Sequence, residues 1–583
     1  MRLKSYYQSA VNVRVRFFML SAFVGVVAGF ATLGLIGLIA LVQEGVFGSM
    51  SEVRFASVVA GSPTWLVLLT PAIGGLIVGA LLHFMQGQRY HGIADVMEAC
   101  AVRGARMDVR SGVGAAFAAA ISMGSGAPVG REGPAVHIGA SISAWLAERL
   151  GLTQSDSLTL LGCGAAAAVT ASFNAPIAGV LFALEVVVGY YTMRVFAPIV
   201  VASAASVIVR QSVLGGDAVF SLPHFQLNSF WELPIFGLLG LFCALFVLVL
   251  ILLVGKIQDF WQASKAPLWC RPALGGLLIG AIAIRFPDVL GSGYQSIDQS
   301  LNQELLPTLL MVLLVMRFLG TGIALGSGFA GGVFTPSLVF GALLGALIWT
   351  LVSALLPDLV SEHGVYSIVG MGALASAMLG APISTVLIVF ELTANYEVTI
   401  AVMLAAAMAS TLMQLSPHTS FFRWQLARRG VNITSGRDQS LLRTRTVENL
   451  VKQDFSPVGD GDKIIDVERQ LSTDKNRIAI LLDEDGNLLG SANLRRLVAA
   501  SIDHGFDTPA AEILFGSEKS ISQHTNLVVA LQEMAEQNID YMPVVESRDT
   551  ERFLFKGVVF RTDLLKNYYD VLRTARAEEF GIN

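Results

Sequence analysis

Apolar residues run in long stretches through the first 430 positions, and that pattern predicts helices that cross a lipid bilayer. Phe17 to Val42, Trp65 to Met85, Ser157 to Val188, Leu233 to Val254 and Val398 to Leu415 approach or exceed the roughly 20 residues a spanning helix needs. Other apolar runs are shorter or interrupted by Gly and Pro, as in helices that break inside a membrane. From Ser435 onward charges become dense and long apolar runs stop. In that region Ile464 to Ala500 reads as helix, strand (Ile478 to Leu482), the turn Asp483-Glu484-Asp485-Gly486-Asn487, strand and helix. The same order returns from Asn526 to Tyr569, with a longer charged turn at Glu546 to Arg552, which predicts two copies of one small α/β unit.

Composition sharpens this division. The 583 residues are 54% hydrophobic and only 14% charged, against about 25% charged in an ordinary soluble domain. The chain is therefore predicted to be an all-α polytopic membrane domain joined to a C-terminal α/β domain. Residues 1–430 form the membrane part, with halves at about 16–215 and 232–430, and 431–445 form a linker. Residues 446–583 hold the paired units, at about 446–503 and 509–572. Arg2, Lys4, Arg14 and Arg16 flank the first apolar run, and Arg423, Arg428 and Arg429 follow the last, so both termini are expected in the cytoplasm and the number of crossings even. The first run is too long for a signal-peptide core and is expected to be retained. Cys100, Cys163, Cys243 and Cys270 show no CxxC spacing and point to buried thiols, with neither metal nor disulfide implied. The net charge of -5 is small and gives no sign of a nucleic-acid partner.

The membrane part repeats. PAIGGLIVGALL from Pro71 and PALGGLLIGAIA from Pro272 are offset by 201, as are Gly92 and Gly293. The GSG triplets at 124 and 326, and Pro134 and Pro336, are offset by 202; Pro176 and Pro382, and Glu185 and Glu391, by 206. If each half crosses an odd number of times the halves are inverted, a common transporter design.

Within GSGAPVGREGPAVHIGA, residues 124–140, Arg131 and Glu132 stand in an apolar, glycine-rich segment. An ionisable group at the bilayer centre costs roughly 2.5 to 3.5 kcal/mol on insertion scales, so it is rarely kept without a partner or a cavity. The glycines permit a broken helix, and Pro134 suits the first turn of the next one. A helix start at membrane depth offers unpaired N–H groups and a partial positive charge, a site for an anion. Glu132 competes for that site and so acts as a gate that opens when it is protonated or swings away. The alternative is a first-turn glutamate balanced by Arg131. GSGFAGGVFTP, residues 326–336, builds the same helix start without a carboxylate and is expected to present the Val333 and Phe334 N–H groups.

These motifs resemble the chloride channel and transporter (CLC) family over almost the whole chain: GREGP at Gly130–Pro134, GGVFTP at Gly331–Pro336, APIAGVLFALE before the middle of the membrane part, and a C-terminal pair of cystathionine-β-synthase-type (CBS) modules. The resemblance implies a homodimer in a cell membrane with one anion pathway per subunit, chloride as ligand, no required cofactor and Glu132 as gate. It implies an anion site built from Gly130, Arg131, Gly133, Val333 and Phe334, with His91, Gly92 and Phe422 contributing.

Three positions depart from the family pattern. His91, in YHGIA, stands where the family commonly has an anion-contacting serine, and either donates an N–H or leaves that role to the Gly92 backbone. Phe422 matches the family's anion-contacting tyrosine, with Phe421 taking the place if the register slips, so both side-chain hydroxyl donors are expected to be missing. Val186 stands where many exchangers carry an inner proton-relaying glutamate, which favours a passive channel over the alternative, proton-coupled chloride/H+ exchange. His137, after Glu132 on the same helix, is a candidate for the proton path. Glu185 and Glu391 are expected to serve helix ends. In the CBS pair GVVFRTD ends at Asp563, the position that holds ribose in adenine-nucleotide sites, whereas the first copy has Arg496 there; adenine nucleotide is thus a candidate ligand and a dimerising scaffold the alternative. An intramembrane serine enzyme at Ser125 is the remote rival, and it lacks a G-x-S-x-G elbow.

Overall fold

Helix Thr64–Phe84 and helix Arg271–Arg285 cross at paired glycines, which makes the internal repeat physical. Gly75 packs on the Pro272 backbone and Gly276 on the Pro71 backbone; Gly79 meets Trp269 and Gly280 meets Leu68 in the same reciprocal way. Only residues without a Cβ let the two backbones approach this closely. The GSG triplets are equally matched, because Gly126 and Gly328 both end a helix in the left-handed region, at φ 98° and 95°.

The computed structural model describes residues 2–52, 54–215, 227–303, 305–431, 446–459, 461–473, 478–514, 520–537, 539–549 and 552–580. All of the 431–445 linker but its first residue lies outside that set. The chain divides into two units, Met1–Ile433 and Thr434–Asn583. Among the described residues the first unit is a bundle of helices, eight of them long and apolar enough to cross a membrane: Arg14–Phe47, Thr64–Phe84, Gln154–Phe173, Met193–Leu214, Phe230–Ala263, Pro307–Ser327, Phe334–Leu355 and Tyr396–Leu415. Shorter apolar helices, such as Val109–Gly124 and His363–Leu379, complete it.

The apolar run Ser157–Val188 is not one span. Its helix stops at Phe173, Asn174 turns into the left-handed region at φ 57°, and Pro176 opens a new helix, Pro176–Phe182, that ends in a π-helical turn, Ala183–Val188. Proline lacks the N–H that would continue the first helix, so hydropathy alone overstates the length of the span.

In the second unit Ser456–Val458 pairs parallel with Ile478–Leu482, which pairs antiparallel with Leu488–Asn493. The second copy repeats this with Ile521–Ser522, Tyr541–Asp549 and Arg552–Phe560. The turn at 483–487 closes as its residues predict: Asp483 accepts hydrogen bonds from the Asn487 N–H at 2.7 Å and its amide at 2.8 Å, and Gly486 takes φ 80°. The expected turn at Glu546 to Arg552 is shorter than its charge suggested, since strand continues to Asp549 and resumes at Arg552.

Candidate anion site

Two helix starts, one from each half, are stitched together in the middle of the membrane unit. Gly130 and Gly332 exchange both backbone hydrogen bonds, at 2.7 and 2.6 Å, in a one-pair antiparallel bridge. Immediately after it, helix Glu132–Arg149 begins with Arg131 as its N-cap and helix Phe334–Leu355 begins with Val333 as its N-cap. Pro134 and Pro336 occupy first turns, where the missing N–H leaves no bond unmade. A Cβ on Gly332 would stand 2.9 Å from the Gly133 nitrogen, a backbone atom, so glycine is required there, and one on Gly130 would press on the Thr335 nitrogen at 3.1 Å and on the movable Glu132 carboxylate.

Glu132 is fully buried and reaches across the bridge to the other half. Its carboxylate accepts the Thr335 hydroxyl at 2.5 Å, and the Thr335 N–H approaches it at 3.4 Å. Thr335 lies in the first turn of the Phe334 helix, whose leading N–H groups have no intrahelical acceptor. The acid of one half therefore lies over the electropositive end of the other half's helix.

Beside this contact is a cavity of about 30 Å³ lined by Tyr90, Gly92, Ile93, Gly133, Gly331, Gly332, Val333, Phe421 and Phe422, with Gln425 and Arg429 at one side. A space of about 10–15 Å³ suffices for one water, so the cavity has the scale of one small ion. Of the sequence candidates, Gly92, Gly133, Val333 and Phe422 line it, and Phe421 lies beside Phe422.

The other candidates are placed elsewhere. His91 does not line the cavity: its Nδ1 lies 3.2 Å from Asp95 and its ring faces His137, with centroids 5.7 Å apart. The Gly92 N–H is spent on Asp95 at 2.9 Å, so that backbone lines the cavity without offering its donor. Asp95 also holds Arg89 at 2.7 Å and Arg429 at 3.2 Å. Arg131 is drawn away to Glu52 at 2.9 Å and lies over the Tyr294 ring at 5.4 Å, so it balances Glu52 and is no ligand of the cavity. The Gly130 N–H is occupied by Gly332, and Phe334 packs its ring on Phe173 at 4.8 Å outside the lining. His137 follows Glu132 by five positions, about 140° around the helix, and it faces His91. Val186 lies buried in the π-helical turn.

Tyr90, Glu52 and Asp95 are neighbours of the site that the sequence candidates omit. An acid three residues after Gly92, at the N3 position of helix Ile93–Ala101, is a capping signal legible in GIAD. In the second unit Asp563 is held by Lys452 at 2.8 Å, and that lysine also lies over the Phe560 ring.

The family model described as voltage gated chloride channel matches residues 74–414. The chain belongs to the CLC family. A CBS domain matches residues 517–570. A ClcB-like chloride channel protein of Ralstonia nicotianae is 34% identical over 371 residues, covering 63% of this chain and 86% of that protein. Among solved structures, a slow cyanobacterial Cl-/H+ antiporter aligns with TM-score 0.63 and 22% identity over 71% of this chain and 98% of its own, and a eukaryotic CLC transporter with 0.62 and 17% over 94% and 98%. The CLC fold of tilted, broken helices in an inverted repeat thus accounts for the membrane unit. This multi-pass chain is a membrane transport protein of that chloride-channel family.

Proposed function

We propose that the chain conducts chloride through a pathway closed by Glu132, whose carboxylate occupies the place of a permeant anion at the start of the Phe334 helix. The observation that carries this reading is the contact between Glu132 and Thr335 across the two halves, beside a cavity of ionic size. The cavity residues Gly133 and Val333 supply backbone at the two helix starts, and Phe421 and Phe422 wall it. Movement of Glu132 off Thr335 frees the Thr335 N–H and hydroxyl at the start of that helix, and an anion takes its place. Chloride is the ligand and no cofactor is required.

Passive conduction is the first reading, because Val186 has no proton to relay. Proton-coupled exchange is the second, favoured by the cyanobacterial neighbour, a Cl-/H+ antiporter, and by a gate that is itself a proton carrier. Residues 1–430 form the transport domain, with halves at about 16–215 and 232–430, and 431–445 link it to a CBS pair at about 446–503 and 509–572. By the positive-inside rule both termini lie in the cytoplasm of a cell whose membrane holds the protein as a homodimer. At the CBS pair an adenine nucleotide is the ligand that Asp563 would take, by exchanging Lys452 for the ribose hydroxyls.

Reversal potentials in planar bilayers under opposed chloride and pH gradients test the reading. A potential set by chloride alone supports conduction, and one that shifts with pH supports exchange. Absence of chloride current and of chloride efflux from liposomes overturns both.

A further inference from the structure

The cavity lacks the two side-chain hydroxyls its family pattern leads one to expect, since His91 is turned onto Asp95 and Phe422 has none. It is not without a hydroxyl. The Tyr90 oxygen is buried at the cavity wall and makes no hydrogen bond. It stands 3.3 Å from the position of a Cβ on Gly133 and 3.6 Å from that of a Cβ on Gly92, and so lies against the start of the Glu132 helix.

A buried hydroxyl without a partner is destabilising, and such groups are rare in native interiors. The nearest acids do not relieve it. Asp95 is already shared among the Gly92 N–H, His91, Arg89 and Arg429. Glu132 is taken by Thr335. Phe421 and Phe422 offer no acceptor. The phenolic O–H is thus an unused donor of a residue that lines the cavity.

We propose that Tyr90 donates its hydroxyl hydrogen bond to the permeant anion and so replaces the serine and tyrosine donors that this chain lacks. The proposal rests on the anion-pathway reading above. It shifts the source of the side-chain donor from position 91 to position 90: His91 is captured by an acid one helical turn later, at i+4, and its neighbour enters the cavity in its stead. A monatomic halide fits this donor set of one phenol and helix-start amides, which carries no bidentate fork for a carboxylate or phosphate.

Chloride titration calorimetry on the full-length, detergent-solubilised protein in chloride-free buffer tests it, with wild type, Tyr90→Phe and the Tyr90→Phe/Phe422→Tyr double variant. Tyr90→Phe is expected to weaken chloride binding about two- to tenfold, the range of one neutral hydrogen bond, and the double variant to recover part of the loss. Equal affinity of wild type and Tyr90→Phe overturns the assignment of Tyr90 and leaves the anion pathway standing. Failure of the wild type to bind chloride overturns both. Should Tyr90→Phe not fold, anomalous scattering from bromide in wild-type crystals decides the matter. A peak within hydrogen-bonding distance of the Tyr90 oxygen supports the assignment, and a cavity peak out of its reach overturns it.

Discussion

The carboxylate of Glu132 and the hydroxyl of Thr335 meet at 2.5 Å, although 203 positions separate them and each belongs to a different half of the repeat. Glu132, the proposed gate, is thus held by the half whose matching helix start carries no acid. A hydrogen bond to a charged acceptor is worth about 1.5–3 kcal/mol. Thr335→Ala should therefore free Glu132 and raise chloride efflux from liposomes about ten- to a hundredfold, while Thr335→Ser keeps the wild-type rate. Equal rates for the alanine variant and wild type would remove Thr335 from the gate.

The Gly130–Gly332 bridge sets how near the two helix starts can stand. Gly332→Ala places a methyl group 2.9 Å from the Gly133 nitrogen, an overpacking that costs about 1–3 kcal/mol. The variant should unfold at lower temperature in detergent and lose chloride flux. Retention of both stability and flux would show that the loops tolerate separation.

Glu185 and Glu391 cap one another's halves. Glu185 accepts the Ser384 N–H and hydroxyl, both at 2.8 Å, at the start of helix Pro382–Thr393, and Glu391 accepts the Ile177 and Ala178 N–H groups at 2.9 and 2.7 Å at the start of helix Pro176–Phe182. Loss of a helix cap costs about 0.5–2 kcal/mol. Glu185→Ala and Glu391→Ala should each lower stability by that order and leave the pH dependence of flux as it is. A change in pH dependence on replacing Glu185 would assign it to proton movement instead.

In the CBS pair, adenosine triphosphate should raise the unfolding midpoint of the full-length protein, because a ligand of the native state stabilises it. Asp563→Ala should abolish the rise. No shift in the wild type would favour the scaffold role.

Much of the architecture was legible because it is written in strong local signals. The repeat offsets 201, 202 and 206 follow from glycines and prolines that pack against each other, and Gly75 with Gly276 shows why these positions cannot drift. The broken helix start at Glu132 follows from the same chemistry. What stayed hidden depends on which way a loop turns. In YHGIA the sequence aligns His91 with the ligand position, and only the capture of that ring by Asp95 shows that Tyr90 is the side chain at the cavity. Arg131 is adjacent to Glu132 in the chain, yet its partner is Glu52, 79 positions away. The opening strands of the CBS units, three and two residues long, are too short to leave an alternating pattern.

In the proposed pathway the Glu132 carboxylate is what closes it. Glu132→Gln keeps the shape and removes the charge, so chloride efflux from liposomes measured across roughly pH 4 to 8, a range that brackets the usual glutamate titration, tests it directly. The variant should run faster than wild type near neutral pH and lose its pH dependence; wild-type rates with wild-type pH dependence would contradict the claim.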